Sequence, residues 1–187
     1  MATKLIELTS AEKKSLIQLA RKALHDRIDG RDNIGRDSLS SESLNKKLPC
    51  FVTLSSPNGR LRGCIGSMTT ENSLRENVYE FAIHAGFEDP RFPPLAPKEV
   101  DLLVIKISVI GPMTPVGDLA EVVLGEYGIC VSKGNRRGVL LASVATDYGW
   151  DHEKFLKETC VKAGLSPDKV SDYTVQKFQD YHFGDGD

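Results

Sequence analysis

The sequence has no uninterrupted apolar run of the ~18 residues that a membrane-spanning helix requires, because charged residues break every apolar stretch sooner. Its first ten residues, MATKLIELTS, also lack the apolar core of a signal peptide. We therefore expect a protein that does not associate with membranes and that acts in the cytoplasm.

The chain also lacks a strong charge of either sign, since its net charge is −2 and its pI is near 6.1. Such a balance provides no overall field that would attract nucleic acid. Only a local patch of Arg60, Arg62 and Arg91 argues for that kind of partner. Nucleic-acid binding is therefore disfavoured.

Cysteine and histidine are scarce and scattered. The four cysteines and four histidines share no short motif with the spacing of zinc ligands, so we expect no metal site and free thiols. A phosphate-binding glycine loop, a dinucleotide-binding G-x-G-x-x-G and a G-x-S-x-G nucleophile motif are absent as well. The motifs of the sequence thus identify neither a reaction nor a cofactor.

What the chain does contain is enough apolar material for a sizeable core. It has 187 residues, of which 40% are apolar and 27% charged, and this suits one domain or two lobes that share a core. Predicted helices and hairpins are mingled without strict βαβ alternation. We therefore expect an α+β fold with mainly antiparallel sheets flanked by helices.

Periodicity and capping signals predict three main helices. The first spans Ala11–Ile28, because Thr9 and Glu12 have the spacing of a capping box ahead of an apolar helical repeat. Two further helices are predicted: one that follows Thr69 or Thr70 as its cap and stops at Gly86, and one that is capped by Asp151 and runs to Ala163.

The strand signals predict two hairpins and two further strands. An Asn-Gly turn joins FVTL to LRGCIG, and the two plausible loop registers place Cys64 opposite Val52 or Thr53. A strand is expected over Leu102–Ile110, a second hairpin around KGNRR, and a short last strand at YTVQKF. The proline-rich EDPRFPPLAPKEV is expected to be extended, and residues 29–48 to form a polar surface connection.

The hexapeptide LRGCIG places Arg62 and Cys64 on one face of a strand, with Cβ atoms roughly 6–7 Å apart. A guanidinium at that distance favours the thiolate form of a cysteine. Gly63 and Gly66 remove side chains where a ligand or a second backbone comes close. The alternative is structural: Cys64 fills the core and Arg62 pairs with a carboxylate.

The segment EDPRFPPL supplies a second candidate cluster. Arg91 follows Asp89 on a rigid extended loop, where its guanidinium could clamp a carboxylate or a phosphate. In the alternative interpretation Asp89 caps a turn and Phe92 fills the core. The histidines are interpreted as surface or capping residues, so no general base for Cys64 is evident.

The motifs LRGCIG and DPRFPPL, together with IKISVIGP, GVLLASVATDYGWDHEKFL and KAGL, resemble the AMMECR-type domain over nearly the whole chain. Prokaryotic members of that family are called AmmeMemoRadiSam system protein A. The resemblance implies one domain over residues 1–187, with a larger lobe from the N- and C-terminal parts and a smaller lobe from the middle. It places Leu61–Gly66 near the cleft between them, implies no established reaction, and suggests Memo-like and radical-SAM proteins as partners.

Two functions therefore compete. The first is a binding module that holds a small molecule, a peptide or a partner protein through Arg62, Gly63, Gly66, Asp89 and Arg91. The second is an enzyme in which Cys64 acts as the catalytic nucleophile. The binding module is preferred because it needs fewer unseen residues.

Overall fold

A computed structural model describes residues 8–31 and 41–186. Contacts divide the chain into two compact units, one built from the described residues up to Ile110 together with those from Tyr181 onward, the other from Gly111–Asp180. Every strand pair with a described register is antiparallel, so the predicted α+β fold is confirmed. The division into a larger and a smaller lobe about a cleft stays a prediction. In the described part of the chain, no helix has the length and hydropathy that crossing a membrane takes.

The unit that contains LRGCIG consists of two long helices and a sheet. Its elements are α1 (Ser10–Ile28), β1 (Cys50–Ser55), β2 (Leu61–Gly66), α2 (Leu74–Phe87), a 3-10 helix (Pro97–Leu102), β3 (Val104–Ile110) and the end of the last strand, β7 (Thr174–Gly184). The capping box of Thr9 and Glu12 starts α1, as the sequence predicts.

Three expectations for this unit are wrong in detail. Helix α2 is capped by Ser73, which forms a capping box with Glu76, whereas the Thr70 hydroxyl binds Asn77. The proline-rich segment is not extended throughout, because Pro97 can occupy the first turn of a 3-10 helix without losing a hydrogen bond. That helix ends at Leu102, so β3 starts later than predicted.

The polar connection before β1 contributes to the core. Leu44 lies in a turn and is fully buried with the apolar side chains of α1 and α2, although its neighbours in sequence are polar. Residues 32–40 of the same predicted connection lie outside the described residues.

The sheet of this unit has one face on the core and one face turned away from it. Buried side chains alternate along β1 and β3 and pack against the two helices; they include Cys50, Val52, Leu54, Ile105, Ile107 and Val109. The side chains between them, Thr53 on β1 and Lys106 on β3, therefore lie on the opposite face. Ser108 shares that face yet is buried, which the alternation does not predict.

The unit Gly111–Asp180 carries the remaining elements. They are β4 (Thr114–Pro115), β5 (Tyr127–Lys133), β6 (Arg136–Leu140), α3 (Ala142–Asp147), α4 (His152–Lys162), two 3-10 helices (Leu119–Glu121 and Pro167–Asp172) and the first part of β7. The second hairpin and the helix capped by Asp151 are confirmed. The sequence does not predict α3, which is too short to show an apolar period, and β7 is longer than expected.

Candidate functional site

The register of the first hairpin places Cys64 directly opposite Thr53, which is one of the two predicted registers. Cys50 is not opposite Cys64, and all four cysteines are free thiols, as expected. The Cys64 side chain is half-buried, and its Sγ shares a 3.1 Å hydrogen bond with the Thr53 hydroxyl. The thiol is therefore neither sealed in the core nor fully exposed.

The two glycines of the hexapeptide leave room for the protein's own backbone. A Cβ atom at Gly63 would lie 1.9 Å from the carbonyl oxygen of Ala85 in α2, and one at Gly66 would lie 2.3 Å from that of Cys50. Real Cβ atoms do not approach backbone that closely. The structure gives both residues a packing role, and a part in ligand binding stays a prediction.

Arg62 ties β2 to the proline-rich segment. Its Nε donates to Glu99 Oε1 at 3.0 Å, and its Nη1 donates to the Pro93 carbonyl oxygen at 2.8 Å. Its Nη2 donates to Glu99 Oε2 at 3.3 Å and to the Pro94 carbonyl oxygen at 3.2 Å. Only 16% of the side chain is exposed, and its hydrogen bonds lower the pKa of Glu99. The recorded bonds of Arg62 thus match the structural alternative, a pairing with a carboxylate.

Asp89 and Arg91 form a second ion pair, and this one holds the backbone of Cys64. Arg91 donates from Nε to Asp89 Oδ1 at 2.9 Å and from Nη2 to Asp89 Oδ2 at 2.7 Å. The Cys64 N–H donates to Asp89 Oδ2 at 2.9 Å, and Arg91 Nη2 also donates to the Cys64 carbonyl oxygen at 3.1 Å. The guanidinium beside Cys64 is therefore that of Arg91.

Burial distinguishes the two members of this pair. The Asp89 side chain is 2% exposed and the Arg91 side chain 54%. The Arg91 guanidinium holds the pKa of Asp89 well below its usual range, with help from the backbone N–H groups of Cys64 and Arg91 and against the effect of burial. Asp89 is thus a fixed buried anion that orients a half-exposed cation.

A thiol nucleophile needs a base, and histidine is the usual one. Three of the four histidines have other partners: His25 binds Asp101, His84 pairs with Glu88, and His152 binds the Val122 carbonyl oxygen. Within residues 8–31 and 41–186, no group of three or more histidine, cysteine or acidic side chains is arranged to hold a metal ion.

Sequence reasoning named Arg62, Cys64, Asp89 and Arg91, and the structure brings the last three together. It missed Thr53 as the partner of the thiol, although one of the predicted hairpin registers already placed these residues opposite each other. A groove of about 410 Å³ elsewhere in this unit is lined by the start of α1 and the end of β7. None of the predicted site residues lines it.

Comparisons with known proteins agree on a single family. A family model described as AMMECR1 matches residues 17–183. The chain is 38% identical over 181 residues to a protein of Thermococcus gammatolerans, with 88% of each chain covered. It is 37% identical over 180 residues to a protein of Methanothermobacter thermautotrophicus, with 92% of this chain and 93% of that one covered. The crystal structure of the uncharacterized protein PH0010 from Pyrococcus horikoshii matches with a TM-score of 0.86 and 34% identity, covering 97% of this chain and 95% of that one.

Proposed function

This chain belongs to the AMMECR1 family, as its motifs predict, and we propose that it acts in the cytoplasm as a binding module for a ligand or a partner protein. The contact surface of this module is centred on Leu61–Gly66. One observation carries the proposal: a buried Asp89 fixes the half-exposed Arg91 guanidinium on the backbone carbonyl of Cys64, whose thiol is half-buried.

The geometry around Arg91 suits recognition. Nε and Nη2 are held by Asp89 and Cys64, while Nη1 has no protein partner in the described ranges 8–31 and 41–186. A guanidinium held in this way is already oriented for an incoming carboxylate or phosphate oxygen, and binding then costs little side-chain entropy. Covalent catalysis would need a base at Cys64, and three histidines bind elsewhere.

The partners that we propose are a Memo-like protein and a radical-SAM protein. The test is to purify both from the same organism and to measure their association with the wild-type chain and with Arg91→Gln, Cys64→Ser and Arg60→Gln by biolayer interferometry. Arg60 is an exposed arginine at the hairpin tip and serves as the charge-matched control.

We expect Arg91→Gln to weaken association with at least one of these proteins by roughly tenfold, the size of one charge-assisted hydrogen bond. Cys64→Ser and Arg60→Gln should change it less than twofold. Failure of both proteins to bind the wild-type chain would refute this choice of partners. Loss of binding in Cys64→Ser with retention in Arg91→Gln would favour a thiol-dependent enzyme instead.

The thiol-dependent enzyme is the second candidate, because the Cys64 Sγ is half-exposed near the Arg91 cation. It requires that Cys64 react with iodoacetamide at pH 7 faster than a free cysteine peptide does. Nucleic-acid binding is the weaker alternative. Arg62 is occupied by Glu99 and two carbonyls, so Arg60 and Arg91 are left to supply the basic patch. A gel-shift assay at low salt tests it.

A further inference from the structure

Three side chains from adjacent strands form a row on the face of the sheet that is turned away from the helices. Thr53 pairs with Cys64 of β2 on one side and with Lys106 of β3 on the other. Directly opposed residues project to the same face, so the Cβ atoms of Cys64, Thr53 and Lys106 lie side by side. Lys106 is exposed and is not one of the residues predicted from the sequence.

The pairing pattern sets the spacing within this row. The N–H and C=O groups of Cys64 point away from β1, to Asp89 and Arg91, so Thr53 and Cys64 form a non-hydrogen-bonded pair. The Cα atoms of such a pair are about 4.5 Å apart, and those of the hydrogen-bonded pair on the other side of Thr53 about 5.5 Å. The flexible lysine stem spans roughly 6 Å, so the ammonium group can lie over Thr53 and close to the sulfur.

The second feature of this row is the charge of Lys106. Within the described part of the chain, Lys106 has no recorded hydrogen bond or ion pair. Three carboxylates of this unit already bind arginines: Asp89 binds Arg91, Glu99 binds Arg62, and Asp185 binds Arg21. The row therefore presents one free positive charge beside a thiol and a hydroxyl.

We propose that Lys106, Thr53 and Cys64 form an anion site, and that the ligand of the binding module contacts it through a carboxylate or phosphate group. This inference rests on the proposed function and adds the chemical class of the ligand. Lys106 supplies the charge, the Thr53 hydroxyl supplies a hydrogen bond, and Arg91 lies at the far side of Cys64 to take a second anionic oxygen.

The thiol itself reports on this site. Iodoacetate and iodoacetamide alkylate a cysteine in the same way, but only iodoacetate carries a carboxylate. The rates at which the two reagents modify Cys64 are measured by mass spectrometry of the digested protein, which assigns each label to one cysteine. Cys50, Cys130 and Cys160 are buried, so they should react slowly. Any change in the thiolate fraction affects both rates equally, so their ratio isolates the attraction of the anion.

We expect Lys106→Gln to lower the iodoacetate-to-iodoacetamide ratio at Cys64 by about threefold, the effect of one water-screened charge at roughly 6 Å. Lys106→Arg should retain the ratio, and added sodium chloride should erase the difference. Lys14→Gln is the matched control, since Lys14 is an exposed lysine on α1 of the same unit. In a second arm, acetate and inorganic phosphate should each slow alkylation of the wild type by iodoacetamide more than chloride at equal ionic strength, and the more effective anion identifies the ligand group.

An unchanged ratio in Lys106→Gln, or an equal fall in Lys14→Gln, would overturn the anion site. That result would leave the proposed function standing if Arg91→Gln still weakened association with the partner proteins. Loss of the Arg91 effect together with a normal Lys106 effect would refute the proposed function and leave an anion site without it.

Discussion

The two faces of strand β2 differ in what approaches them. On the face toward α2, Gly63 leaves space that the helix backbone fills, and Ile65 packs against the core, whereas Leu61 at the start of the strand is exposed. On the opposite face, Arg62 is bound by the proline-rich segment, whereas Cys64 lies beside Thr53 and keeps part of its surface exposed. One strand of six residues thus serves packing on one side and presents chemical groups on the other.

Arg62 on this strand and Arg91 beside it differ in the same way, one serving the fold and the other partly open to solvent. The Arg62 side chain is 16% exposed and is held by a carboxylate and two carbonyl groups. The Arg91 side chain is 54% exposed and is held on one edge only. An arginine fully occupied by internal bonds stabilises the fold, whereas one fixed on one edge and open on the other can also bind an anion.

The largest effect is expected on the packed face. Gly63→Ala places a methyl group on the Ala85 carbonyl oxygen and should lower the free energy of unfolding by about 3 kcal/mol, the upper end for an overpacked site, measured by urea denaturation. Gly117→Ala is the control, because its Cβ would meet only the flexible end of Glu121. A Gly63→Ala protein as stable as the control would show that α2 does not pack as described.

Asp89→Asn tests the buried anion that binds the backbone of Cys64 at the edge of β2. We expect a loss of about 2–3 kcal/mol at pH 7, because the Arg91 guanidinium loses its charged partner. The pKa of Asp89 is lowered in the folded state, so its contribution is complete above the ordinary carboxyl value of about 4 and is lost as the pH falls below it. The difference in free energy of unfolding between wild type and variant should become smaller between pH 4 and pH 3. A difference that stays constant would contradict the lowered pKa of Asp89. Asp101→Asn, at a mostly exposed carboxylate, should change little at pH 7.

Arg62→Ala should lower the free energy of unfolding by about 1–2 kcal/mol, because two carbonyl groups lose their guanidinium donor and Glu99 keeps the Ala96 N–H but loses its ion pair. Arg62→Lys should recover only part of the loss, since lysine cannot bind in a bidentate way. Arg60→Ala, at an exposed position two residues earlier, should stay within about 0.5 kcal/mol. Equal effects of the Arg60 and Arg62 substitutions would remove the structural role of Arg62.

Cys64→Ser should have the smallest effect on stability, below about 1 kcal/mol, because a hydroxyl can replace the thiol in the bond to Thr53 at a half-exposed site. Cys50→Ser makes the comparison sharper. Burial raises the pKa of the Cys50 thiol to about 12, and a hydroxyl there would be placed in the apolar core at a cost of about 1–3 kcal/mol. The reverse order of the two substitutions in thermal unfolding would contradict the assignment of faces.

The local features were predictable because they depend on residues close in sequence. The capping box of α1 and the Asn-Gly hairpin are of this kind and are confirmed. The alternation along β3 is of this kind too, and it holds as far as Ile107 but not at Ser108, which is buried. It was not predictable that Arg62 pairs with Glu99 and that Arg91 is the arginine beside Cys64. This arrangement depends on a hydrogen bond between Cys64 and Asp89, which are 25 residues apart, and on Glu99 reaching Arg62 from a short helix that the prolines concealed.

The alignment of Lys106 with Cys64 could not be predicted from the sequence, for a related reason. It requires the registers of two strand pairs at once, and the second pair joins segments separated by 48 residues of chain. Hydrophobic alternation in β3 assigns Lys106 to a face but does not say which residue of β1 it meets.

Strand β2 lies at the edge of its sheet, where free N–H and C=O groups form a template on which another polypeptide can add. At Cys64 both of these groups are already taken by the side chains of Asp89 and Arg91. The two side chains occupy the position that a neighbouring strand would take, so an invading strand must first separate a partly buried ion pair. The contacts that hold the thiol in place therefore also protect the protein against edge-to-edge aggregation.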